Sequence, residues 1–288
     1  FDDFGGLHRG FDELDFSAAP PKDAPWDIDT KASSPELTDA AIRLLDEPKN
    51  TAGRFFMWIH YLDPHADYLR HEGIDFGNGA RDLYDGEVAF TDKHVGRLLE
   101  KIASAPWGSR TAIIVTSDHG EAFGEHGMYR HGFEVWEHLV RVPLIVYVPG
   151  AKPKRVTARR SLIDLVPTIL ELCHIPLPET REDSTDFLSG QSWLVDVFLK
   201  EGEQHAERDV FVDMPAGPYN DARRALIHKD KKLIVAGDAR FSLYDLAADP
   251  AEARELSKQD KEAFDAMKDR YAAFKARLRE IKVTGKRK

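Results

Sequence analysis

Asp118 and His119 stand at the end of the run Thr111-Ala-Ile-Ile-Val-Thr-Ser-Asp-His-Gly-Glu121. β-Branched apolar residues lead straight into a carboxylate and an imidazole, and a glycine follows. Such a run predicts a strand that presents both side chains at its carboxyl end, where open α/β sheets bind ligands. A carboxylate beside a neutral imidazole is a natural pair of ligands for a divalent metal. Taken alone, the run is equally well explained as a strand closed by an Asp-His-Gly turn.

The neighbouring histidines decide between these. The chain has 12 histidines. His60 and His65 follow an apolar run at 54–59, and His119, His126 and His131 follow the run at 111–116. If the two strands share a sheet, these loops meet at one edge. The chemistry of such a pocket is transfer of an oxyanion group, sulfuryl or phosphoryl. A metal neutralises non-bridging oxygens, cationic side chains hold the others, and a histidine protonates the leaving oxygen. Asp63-Pro64 makes a rigid turn before His65. Glu125 reads as surface charge, and Glu121 reads either as that or as a partner that orients an imidazole.

The elements that must position these residues are predicted as follows. Ser34-Pro-Glu opens a helix with Leu37, Ala40, Ala41, Leu44 and Leu45 inward, and Arg54–Ile59 is a buried strand. Tyr84–Ala105 is a helix with an apolar stripe of Val88, Val95, Leu98, Leu99 and Ile102. Arg141–Val148 is a second buried strand, and Ser161–Cys173 is a helix with Pro167 inside it. Alternation of this kind specifies a layered α/β sheet with helices on both faces. After about residue 205 four short strands predict a small antiparallel sheet (209–213, 224–228, 232–236 and 241–246). A long charged helix then runs over 251–281. The domain division read from this change is 1–204 and 205–288.

The sequence of 288 residues has a formal charge of −10, which argues against a nucleic-acid binder. Its single cysteine, Cys173, excludes an internal disulfide framework and reads as a small core residue late in a helix. No apolar run approaches the ~20 residues of a membrane span. Trp26, Trp136 and Tyr219 are candidates for stacking on a ring, with core packing favoured for Trp136. Pro215–Tyr219 is a candidate rim.

Seven segments in order resemble the later part of a sulfatase in the alkaline-phosphatase superfamily. They are Glu36-Leu-Thr-Asp-Ala-Ala-Ile, Phe56-Met-Trp-Ile-His-Tyr-Leu-Asp-Pro-His65 with Tyr68, and Tyr84-Asp-Gly-Glu-Val with Asp92 and Gly96. Thr116–Gly127, His131-Gly through Arg141-Val-Pro-Leu, Ser161–Leu170 and Leu243–Glu252 complete the series. The resemblance implies an alkaline-phosphatase-like sheet and hydrolysis of sulfuric esters. Phosphoryl-transfer relatives and a non-catalytic remnant are the alternatives.

The resemblance also implies roles. Asp118 and His119 would be ligands of a divalent metal, calcium first, with magnesium, manganese or zinc as alternatives because many relatives carry Asn at the second position. His65 would contact the transferred group or protonate the leaving oxygen, and His131 would hold its oxygens. His60 and His126 would be supporting residues on the substrate side. The nucleophile of such enzymes, formylglycine in true sulfatases, lies in a Cys/Ser-x-Pro-x-Arg segment that is absent here; Ser33-Ser-Pro-Glu lacks the Arg. Asp2 and Asp3 are not in a context suited to the family's early metal ligands. The expectation is therefore that the nucleophile and the other ligands lie in an N-terminal segment of the same protein outside this chain. The implied substrate is a sulfated small molecule or glycan. The implied location is periplasmic or extracellular in bacteria, lysosomal or secreted in animals, with a membrane anchor allowed upstream.

Overall fold

The computed structural model describes residues 8–19, 31–65, 67–178, 188–200, 202–203, 205–217, 220–237 and 239–278. Asp2, Asp3, Trp26, Tyr219 and the basic tail at 286–288 lie outside the described residues. Two compact units divide the chain at Phe1–Thr111 and Ala112–Lys288.

In the first unit, helix α1 (Ser34–Asp46) packs against the long α3 (Ala80–Ser104), with a single turn, α2 (Pro48–Thr51), after α1. Ala41, Leu45 and Leu98 are the centre of this core, and Phe55, Met57, Ile59, Ile102 and Trp107 close around it. Residues 54–60 differ from expectation. Their side chains alternate between half-buried and exposed as in a strand, but no strand ladder is assigned to them. The face of α3 also differs. Val88 and Leu99 are exposed, whereas Glu87 and His94 are buried. The cause is polar: the Glu87 carboxylate accepts the Leu69 N–H at 2.6 Å and meets His71 Nε2 at 2.8 Å. The His71 ring in turn stacks on Phe90. Burial of the carboxylate raises its pKa, and the bond from His71 opposes this.

The second unit begins with strand β1 (Ile113–Thr116), which pairs antiparallel with β4 (Leu144–Tyr147), Ile113 opposite Tyr147. β4 is not the buried strand that its apolar run suggests. Ile145 is 64% exposed, and Leu144 and Tyr147 are also exposed. Between these strands lie a two-residue hairpin, β2 (Ala122–Phe123) with β3 (Tyr129–Arg130), and the one-turn helix α4 (Glu137–Val140). Helix α5 (Leu165–Leu172) follows a 3₁₀ turn. Pro167 is accommodated because it falls in the first turn of α5, where backbone N–H groups have no intrahelical partner. Helix α6 (Leu194–Phe198) leads into the C-terminal sheet.

That sheet has four antiparallel strands in sequence order: β5 (Val210–Met214), β6 (Arg223–His228), β7 (Lys231–Ala236) and β8 (Arg240–Asp245). One face packs on helix α7 (Lys261–Lys275) through Leu226, Leu233, Val235, Leu243, Met267 and Tyr271. The other covers Val135 through Ala225, Ile234 and Tyr244, with Trp136 and Val140 beside them. The terminal helix is shorter than expected. It starts at Lys261, capped by the Asp260 carboxylate on the Ala263 N–H. Residues 251–260 instead form turns, held by bonds such as Arg254 N–H to the Asp249 carboxylate at 2.8 Å. Residues 279–281 lie outside the described residues.

Candidate active site

β1 ends at Thr116, and its side-chain hydroxyl donates to the Pro143 carbonyl at 2.8 Å, which keeps the strand end on the segment leading into β4. Ser117 Oγ donates to the His119 carbonyl at 2.5 Å, and the His119 N–H donates to Asp118 Oδ1 at 3.0 Å. The chain thus folds into a tight turn that leaves Asp118 exposed at its tip. His119 Nδ1 lies 2.9 Å from the Gly120 carbonyl. A carbonyl only accepts, so Nδ1 carries a proton, and in the neutral ring the lone pair falls on Nε2. That Nε2 stands 3.7 Å from Asp118 Oδ2. Two donors each roughly 2.1–2.6 Å from one cation at right angles stand about 3.0–3.7 Å apart, so the pair stands at the wide end of that spacing and must close slightly to share a small ion such as zinc. An imidazole in the set suits manganese or zinc better than a cation that prefers oxygen alone.

Among the described residues no group of three or more His, Cys, Asp or Glu side chains is arranged to hold a metal. Asp118 and His119 fit as two ligands of a shell, not as a complete one.

His131 stacks on His119, ring centroids 4.0 Å apart and planes 26° apart. Its Nδ1 faces both oxygens of Glu121 at 3.3 and 3.4 Å. Glu121 is therefore a partner that orients an imidazole, with its side chain nearly buried. The hairpin register makes this pairing. Ala122 opposes Arg130, so residues 121 and 131 face each other one step further along. Glu125 is not simply surface charge, because its carboxylate accepts the Phe123 N–H at 2.6 Å inside the hairpin turn.

His126 has φ 53° and is engaged elsewhere. Its ring stacks on Trp136 at 3.9 Å, and Nε2 bonds the Ala251 carbonyl at 3.0 Å. Trp136 meets Tyr244 edge-on at 5.4 Å and belongs to the core. Its neighbour His138 has a pKa lowered mainly by burial.

His60 and His65 belong to the first unit. His60 is exposed, with its ring edge-on to Trp58 at 6.3 Å. His65 is half-buried, and its N–H bonds the Leu62 carbonyl at 3.0 Å. The loop is anchored by Asp63. Its carboxylate accepts the Ser33 N–H at 2.5 Å, the Ser33 hydroxyl at 2.6 Å and the Ser34 N–H at 2.8 Å. Asp63 thus caps α1 from a distant segment, and an acid there also suits the helix dipole. Sequence spacing gave no sign of this bond, which joins residues 30 apart.

A family model described as Sulfatase matches residues 1–175. The chain belongs to the sulfatase family. A second model, N-sulphoglucosamine sulphohydrolase, C-terminal, matches residues 124–282. An arylsulfatase of Clostridium perfringens is 30% identical over 198 residues, covering 66% of this chain and 38% of its own. The solved structure of a sulfatase named yidJ from Bacteroides fragilis aligns with a TM-score of 0.67 at 18% identity, over 84% of this chain and 58% of that one. The phosphonate monoester hydrolase of Agrobacterium radiobacter aligns with a TM-score of 0.57 at 21% identity, over 68% and 41%. These likenesses place the chain in the alkaline-phosphatase-like fold of the sulfatases, with its small antiparallel C-terminal sheet. The chain spans half or less of the length of the curated relatives it matches. Sulfatases generally use a divalent metal and formylglycine. No helix among the described residues is long and apolar enough to cross a membrane.

Proposed function

We propose that the full-length protein is a metal-dependent hydrolase of sulfuric esters, and that this chain carries two of its metal ligands and part of its oxyanion pocket. The observation that carries the reading is the strand-end pair, in a chain of the sulfatase family. His119 turns Nδ1 to the Gly120 carbonyl, and its Nε2 lies 3.7 Å from a carboxylate oxygen of the exposed Asp118. A cation held there would draw charge from the ester's non-bridging oxygens.

The chain's own residues have separate tasks. Glu121 faces the Nδ1 side of His131 and orients the ring, and His131 is assigned to hold an oxygen of the transferred group. His65 is assigned proton delivery to the leaving oxygen, on a loop that Asp63 and Pro64 hold stiff. His60 is assigned to the substrate side, whereas His126, stacked on the core residue Trp136 and bonded to the Ala251 carbonyl, serves the fold instead. The nucleophile, as formylglycine, and the remaining ligands are assigned to a further segment of the same polypeptide, since no Cys/Ser-x-Pro-x-Arg segment occurs in this sequence. The substrate class is a sulfated small molecule or glycan, not a nucleic acid, and the location is outside the cytoplasm. Calcium, manganese, magnesium and zinc remain the cations to compare.

A phosphoryl-transfer activity is the second reading, supported by His119 in the ligand pair and by the likeness to the phosphonate monoester hydrolase. Assay of the full-length protein on an aryl sulfate and an aryl phosphodiester separates the two. Turnover of the sulfate, lost on chelation and restored by Ca²⁺ or Mn²⁺, is the expected result. Turnover of the phosphodiester alone would replace the first reading by the second.

A further inference from the structure

We propose that Lys232, in the C-terminal sheet, is a positioning residue for the Asp118–His119 pair and acts through two buried glutamates and helix α4. This rests on the reading of that pair as metal ligands.

Lys232 is 0% exposed, on β7, one of the two inner strands of the sheet. A lysine is almost never fully buried unless it is paired. Its ammonium lies 3.0 Å from Glu137 Oε1 and 2.9 Å from Glu252 Oε1. The other oxygen of Glu252 accepts the backbone N–H of Glu137 at 2.6 Å. Arg159 reaches the other oxygen of Glu137 at 3.3 Å. Two cations and two carboxylates therefore close around the first residue of α4. Both the side chain and the backbone of Glu137 are held.

α4 is the abutment of the metal pair. The Gly120 N–H donates to the Leu139 carbonyl at 2.7 Å. Gly120 lies so close to this turn that a Cβ there would run into the His138 carbonyl oxygen. Gly120 also carries the carbonyl that fixes His119 Nδ1. The sequence of contacts runs from Lys232 to Glu137, along one turn of helix to Leu139, and then to Gly120 and His119. A second branch reaches the same region, since Ala251, next to Glu252, accepts the bond from His126. An ammonium between two carboxylates fixes α4 more narrowly than apolar packing of Val135 and Val140 does, because it sets direction as well as contact.

The test uses the full-length protein with two readouts: Mn²⁺ affinity, and amide hydrogen exchange in the segment 117–125. Lys232→Met removes the charge and keeps the volume. It is expected to weaken Mn²⁺ binding by about 10–100-fold, as loss of an outer support of a metal site does, and to speed exchange in 117–125 at least about tenfold. Leu243→Ala, in the core between β8 and α7, lowers the melting temperature without touching this route and is expected to leave both readouts near wild type. Wild-type affinity in Lys232→Met overturns the proposal, and so does a Leu243→Ala variant that reproduces both effects. If Lys232→Met does not fold, Glu137→Gln is read in the same way. Asp118→Asn is measured alongside. If it leaves Mn²⁺ binding unchanged, the metal reading fails, and exchange in 117–125 alone decides whether Lys232 positions the turn.

Discussion

Asp63 and Asp118 each stand within two residues of a histidine in a loop, and the structure uses them in opposite ways. Asp63 is 4% exposed, and both of its oxygens accept bonds from the start of α1. Asp118 has a side chain 65% exposed and one internal bond, from the next N–H. A carboxylate whose lone pairs are taken by backbone donors builds structure. One that faces outward beside a lone-paired imidazole is available to a cation. Nearness to histidine does not distinguish the two; the fate of the lone pairs does.

The sharpest way to break this comparison is to remove each acid in turn. Asp118→Ala is expected to lower activity of the full-length protein at least about a hundredfold, because charge neutralisation by a metal is worth several kcal/mol and each 1.4 kcal/mol is tenfold. Its stability in the absence of metal should move by no more than about 0.5 kcal/mol, as for other exposed positions. Asp63→Ala should do the reverse. It strands two buried N–H groups and a hydroxyl, at a cost of about 2–4 kcal/mol, while metal affinity stays near wild type. Chemical denaturation and a Mn²⁺ titration on the two variants check both halves. Equal stability losses would erase the distinction.

What the sequence makes legible follows the same division. The four C-terminal strands are readable within a residue or so, because short apolar runs there alternate with tight turns. The run 111–116 is readable as a strand ending in Asp118 and His119. Contacts that cross the sequence are not. Nothing near Asp63 announces Ser33, and the burial of Glu87 turns α3 onto a face that its apolar residues alone do not select. Lys232 opens the strand read over 232–236, and nothing beside it in the sequence announces Glu137 and Glu252, 95 and 20 positions away. Glu121 is an intermediate case, since its partner His131 follows from the hairpin register but the hairpin is only two residues per strand. The helix read over 251–260 fails because local carboxylate–backbone bonds compete there with the helix.

The two acids differ again in what lies behind them, and Gly120 exposes the difference. Behind Asp118 the chain presses on α4 with no room for a methyl group. Gly120→Ala is expected to destabilise the chain by roughly 1–3 kcal/mol through overpacking against backbone. Part of the strain should fall on His119, so metal affinity drops as well, and a joint fall in melting temperature and Mn²⁺ binding is the signature to look for.

The smallest effect expected is at β4, where the comparison is between two apolar positions of the second unit. Leu243 is fully buried against α7, and its replacement by Ala should cost about 2–5 kcal/mol. Ile145 is an apolar residue of similar size on a paired strand, but it is 64% exposed. In this chain Ile145→Ser loses little burial and some β-propensity, so the expected change is within about 1 kcal/mol. Denaturant midpoints of the two variants, at unchanged slope, measure the contrast. A loss at Ile145 as large as that at Leu243 would mean that the face of β4 is covered in solution, and repeating the pair in the full-length protein tells whether a further segment of the polypeptide is what covers it.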